Sequence, residues 1–180
     1  MCRSLLCAAL LGAIGAHAET LSYWIAPGPD AQLAEWALAA WQHASGGELK
    51  LQPSARREDA LIRIVWASPE QGLYGEAIPV IVNGRRGSEV YIRPAPMDTG
   101  KDVLLREAIT YLTCLHESGH ALGLGHTARF EDIMYSFQFG GDIREYFLRY
   151  RRKLHSRDDI RNNPGLSAGD RAQLMLVLRE

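Results

Sequence analysis

Between residues 116 and 126 the chain reads His-Glu-Ser-Gly-His-Ala-Leu-Gly-Leu-Gly-His, the pattern H-E-x-x-H-x-x-G-x-x-H. On a helix, residues four apart share a face, so His116 and His120 can offer imidazole nitrogens to one metal ion. Glu117 leans over the same point and can accept a proton from water there. Gly123 can take a positive φ, end the helix and turn the chain so that His126 supplies a third ligand. Three neutral imidazoles suit zinc and leave its fourth tetrahedral position open, which marks a catalytic rather than a structural ion. The alternative is a helix that happens to carry two unrelated histidines. A shuffled chain of this composition would show the full pattern on the order of a few times in 100,000, so coincidence loses.

The elements that must position these residues can be read from periodicity. Leu21 to Ile25 predicts a first strand, and Asp30 a cap for a helix from Ala31 to Ala44. That helix carries Leu33, Trp36, Ala37, Ala40 and Trp41 on one stripe, as core or sheet-facing anchors. Further strands are predicted at Leu49 to Gln52, Leu61 to Ala67, Leu73 to Val82 and Glu89 to Arg93. Ser68-Pro69-Glu70 breaks the series, Asn83 to Gly87 forms a hairpin-type loop, and Pro94 and Pro96 close the sheet. Asp98 or Thr99, with Asp102 in the first turn, opens the helix bearing His116 and His120. Its inner face holds Leu105, Ile109, Leu112 and Leu115. A helix from Arg144 to Leu154 and a last one from Ser167 to Leu178 complete an α+β domain with a mixed, twisted sheet of about five strands.

The chain's 180 residues suit one domain with a core able to fold unaided. Residues 1–18 read as a secretion signal: Arg3 in a short basic start, an apolar run from Leu5 to Ile14, and the small-x-small site Ala16-His17-Ala18. The apolar run is too short to span a bilayer. The expectation is export, to a periplasm or beyond, with residues 19–180 as the mature domain. Only Cys114 then remains, so no intrachain disulfide is expected. Two residues before His116, it points about 200° away around the helix and reads as a small buried hydrophobe. A formal charge of −1 gives no reason to expect nucleic acid. Locally, seven Arg or Lys between Arg144 and Arg161 face three acids. A solvated, arginine-rich segment is the plainer reading; a face for an anionic partner is the other.

Eight residues after His126 come Asp132-Ile133-Met134-Tyr135. A histidine motif of this form followed by such a methionine turn resembles the metzincin metalloendopeptidases, and most closely the matrixins. Thr127 after the third histidine and Tyr135 directly after the methionine both suit that branch. In the astacin and serralysin branches the tyrosine lies two places after the methionine and can reach zinc, so Tyr135 is not expected as a ligand. The resemblance implies a metzincin-like protease fold, one catalytic zinc on His116, His120 and His126, Glu117 as general base, and Met134 as a floor beneath the metal. It further implies that Asp170, in Leu166-Ser167-Ala168-Gly169-Asp170, anchors the backbone of the methionine turn.

Three departures from the family pattern stand out. No propeptide cysteine motif precedes Leu21, so latency by that route is not expected. There is no histidine between Val65 and Pro96 for a second, structural zinc, while calcium is left open. The methionine turn continues Ser136-Phe137-Gln138 instead of Pro-x-Tyr, and residues 137–164 form a longer insertion than usual.

These readings predict a monomeric zinc endopeptidase whose extended substrate lies along an edge strand near Leu73-Tyr74-Gly75-Glu76-Ala77. Two rivals are a metallohydrolase for cell-envelope peptide and a non-catalytic zinc module occluded by the 137–164 insertion.

Overall fold

Among the described residues the chain forms five strands, β1 (Glu19–Ile25), β2 (Leu49–Pro53), β3 (Ile62–Trp66), β4 (Gly75–Val82) and β5 (Arg85–Ile92), with β-branched residues concentrated in β3 and β4. The helices are α1 (Ala31–Ala44), α2 (Val103–Ala121), α3 (Ile143–Arg151), α4 (Asp159–Asn162) and α5 (Ala168–Val177). The structure, a computed structural model, describes residues 18–67, 74–94 and 102–179. Most of the predicted secretion signal, the break at Ser68 to Glu70, Leu73, Pro96, Asp98 and Thr99 lie outside the described residues.

The strands make one sheet in the order β2-β1-β3-β5-β4. Helix α1 carries the chain back over the sheet, so β2 lies parallel to β1, as a crossover requires. β3 and β5 continue the parallel set, and only β4 runs antiparallel, at one edge. The mixed five-stranded sheet is therefore mostly parallel, a feature that periodicity did not indicate.

The β4–β5 hairpin is tighter than its sequence suggested. Asn83 and Gly84 both have positive φ, 50° and 76°, as a two-residue primed turn requires. Arg85, Arg86 and Gly87, expected in the loop, instead pair with Val82, Ile81 and Val80. β5 thus begins at Arg85 rather than Glu89.

Helices α1 and α2 pack together over one face of the sheet, against Ile62, Ile64, Val90 and Ile92, all of them buried. Trp41 is buried between the helices and donates its indole N–H to Leu115 O at 2.9 Å, tying α1 to the carbonyl side of α2. The opposite sheet face is polar: Glu89 accepts from Arg57 and from the Tyr91 hydroxyl, at 2.7 and 2.8 Å.

Two capping expectations are corrected. Asp30 does precede α1, but its side chain makes no cap; it takes a bidentate pair from Arg106 of α2, at 3.2 Å on each arm. A charge-assisted, buried pair outcompetes a single amide hydrogen bond. Helix α2 starts at Val103, because Asp102 is its cap rather than part of its first turn and accepts from Leu105 N at 3.0 Å.

The 137–164 segment folds as part of the domain. It contributes α3, α4 and a short 3-10 turn at Phe137–Phe139, with α3 packed on α2. Helix α5 begins with a full capping box between Ser167 and Asp170.

Candidate metal centre

Helix α2 delivers His116, Glu117 and His120 from its last turns. Gly123 follows with φ of 97°, a value that a side chain would resist, and reverses the chain toward His126. The result is convergence. His126 Nε2 lies 3.3 Å from His116 Nε2 and 3.1 Å from His120 Nε2. A tetrahedral zinc with its nitrogens ~2.0–2.1 Å away would separate each pair of them by about 3.3 Å.

The donor set also fits a cation in its protonation. His116 Nδ1 lies 2.6 Å from Ile133 O and His120 Nδ1 lies 2.9 Å from Leu124 O. A carbonyl can only accept, so each Nδ1 carries the hydrogen and each Nε2 presents a lone pair. Burial pushes the His116 imidazole down to about 4, so it stays neutral and able to ligate at pH 7. His126 is likewise lowered, first by burial and then by neighbouring His120. Lone pairs facing one another across about 3 Å repel unless a cation stands between them. His116, His120 and His126 also stand together as a group of ligand atoms within 4.8 Å of one another.

Glu117 lines the adjoining pocket with His116 and His126. Burial, with a smaller push from the charge of Glu76, raises its carboxyl to about 7. Such a group exchanges protons readily near neutrality. The pocket, of about 190 Å³, is walled by Tyr74, Gly75, Tyr135, Tyr146 and Phe147 and is largely apolar. Tyr135 spends its hydroxyl on Gly140 O at 2.8 Å and presents only its ring. Cys114, fully buried, takes no part.

Met134 is fully buried, and its sulfur lies where a methyl group on Gly119 would be, 2.5 Å from that ideal Cβ. Gly119 therefore lets the methionine turn dock on the α2 backbone. Asp170 secures the turn from the other side, accepting from Ile133 N at 2.9 Å and Met134 N at 3.2 Å.

Sequence reasoning overlooked Gly119 and Tyr146, and it placed Gly75 on the substrate-binding edge strand without its contact to Glu117. Gly119 left a signal, since glycine inside a helix costs about 1 kcal/mol relative to alanine and implies a close neighbour. The contact of Gly75 with Glu117 and that of Tyr146 with Ile133 left none, because those partners lie far along the chain.

The basic segment is mostly occupied within the molecule. Arg149 lies 4.3 Å over the Tyr146 ring, Arg151 pairs with Asp102 at 3.0 Å, Arg152 pairs with Glu145, and Arg157 pairs with Glu107. Four of the seven basic side chains of residues 144–161 are thus engaged within the molecule. Among the described residues no helix is long and apolar enough to cross a membrane.

No protein-family model and no curated protein matches this chain. Among solved structures, the crystal structure of archaemetzincin from Methanopyrus kandleri is similar, at a TM-score of 0.48 and 17% identity. That match covers 94% of this chain and 100% of the other. At that similarity the chemistry rests on the residues themselves.

Proposed function

We propose that this chain is an exported, zinc-dependent endopeptidase of matrixin-like design. The observation that carries the reading is the meeting of three imidazole Nε2 atoms beside a buried carboxyl, in a pocket at the open edge of the sheet. Zinc held by His116, His120 and His126 would supply Lewis acidity, acidifying water toward pKa ~7 and polarising a peptide carbonyl. Glu117, which lines the pocket beside the histidines, takes the proton of the attacking water and returns it to the departing amine nitrogen. His116 and His120 keep their Nδ1–H groups on backbone carbonyls, which fixes their tautomers throughout.

Substrate binding follows from topology. β4 is an edge strand, and its first residue, Gly75, lies against Glu117. An extended peptide added beside β4 would run its scissile bond past Glu117. The methionine turn on Asp170 and the position of Met134 support the matrixin-like assignment. The basic start, apolar run and Ala16-His17-Ala18 site support export. The insertion walls the pocket instead of filling it, which favours an active enzyme over an occluded module.

Glu117→Ala tests the reading. The variant should keep its fold and its zinc yet lose at least ~100-fold in cleavage of a denatured protein, the scale of general base catalysis. Undiminished cleavage by purified Glu117→Ala would sink the mechanism. Wild-type inactivity on protein, with turnover of purified cell-wall peptide, would move the substrate to the envelope.

A further inference from the structure

The two helix-borne histidines are oriented very differently. His120 is steered by Leu124 O, four residues on, in the turn that its own helix end creates. His116 is steered by Ile133 O, seventeen residues away on the methionine turn. Local geometry fixes the first carbonyl. The second must be held by tertiary contacts.

From the amide side, Asp170 holds the turn through Ile133 N and Met134 N. From the carbonyl side the contact comes from α3. The Tyr146 hydroxyl donates to Asp132 O at 3.0 Å and shares the same hydrogen with Ile133 O at 3.2 Å. Ile133 O has two lone pairs, one for Tyr146 O–H and one for His116 Nδ1–H. The phenol cannot swing aside: the side chain is buried and its ring is packed edge-on by Phe130, Phe137 and Phe147.

We propose that Tyr146 is a positioning residue of the metal centre, acting through the Ile133 carbonyl to aim His116 Nε2 at the ion. The insertion then supports one of the ligands from behind as well as walling the pocket. The inference rests on the reading of His116, His120 and His126 as metal ligands.

Tyr146→Phe removes the hydroxyl and keeps the ring. Tyr150→Phe is the matched control: Tyr150 lies one turn along α3 and donates to Asn163 O at 2.6 Å, remote from Ile133. Zinc dissociation constants would be measured by competition with a chromogenic chelator, well below the melting temperature of every metal-free variant. Tyr146→Phe should weaken zinc about 10-fold or more, the usual effect of losing a partner behind a ligand, while Tyr150→Phe stays within about 2-fold of wild type. A wild-type affinity in Tyr146→Phe would overturn the positioning role. Equal weakening by both variants would also overturn it, assigning the loss to a loosened α3. If the wild-type chain competes for zinc no better than His116→Ala, the ligand reading itself fails.

Discussion

Gly75 opens β4 directly over Glu117, and a methyl group built on it would lie 2.5 Å from Glu117 Cγ and 3.0 Å from its carboxyl carbon. The obstacle is the middle of the side chain, so Glu117 would have to change rotamer as a whole. Gly75→Ala should therefore lower kcat by about 10-fold or more, the scale at which a misplaced general base is felt. Zinc affinity should be unchanged, because no ligand is touched. Steady-state kinetics alongside chelator competition would check the split; a fall in affinity matching the fall in kcat would refute it. At this scale the sequence pointed to the candidate ligands and the candidate base, because H-E-x-x-H packs its information into adjacent positions. It did not show the residue pressing on the base, since Gly75 lies some forty positions before Glu117.

Helix α5 acts on the site through one buried carboxylate. Asp170 accepts from Ser167 N at 2.8 Å in its own capping box and from two amides of the methionine turn. Asp170→Ala leaves three amide donors short of a partner, at roughly 1–3 kcal/mol for each that stays buried, so a loss of about 3 kcal/mol or more is expected. Urea unfolding of the metal-free protein measures it, and a loss below about 1 kcal/mol would show that water replaces the carboxylate there. Elements with strong local signals were legible in advance. α1 falls on Ala31–Ala44 as its stripe predicted, and α5 starts behind Ser167 as expected. The β4–β5 loop was misread, because Arg85 and Arg86 look like loop residues until an edge strand is there to pair them. Asp30 was misread for a related reason: its partner, Arg106, lies on another helix.

For the molecule as a whole, a metal bound by the folded chain alone must stabilise it. At a free zinc concentration about 100 times Kd the gain is about 2.7 kcal/mol. For a domain of this size that corresponds to a Tm shift of roughly 5–10 °C. Calorimetry with zinc and after chelation should show this difference, and His116→Ala should not. An identical Tm in both conditions would mean that the three imidazoles hold no ion in solution. The sequence by itself located the proposed chemistry: the candidate ligands and base, the turn glycine and the methionine all lie within residues 116 to 134. Helical spacing and glycine φ are local rules, so that much is readable in one dimension. Only the tertiary structure decided which sheet edge faces Glu117, what holds the Ile133 carbonyl against His116, and that the 137–164 insertion builds a pocket wall. Those outcomes depend on packing between segments distant in the chain. Pair energies of that kind have no sequence period to announce them.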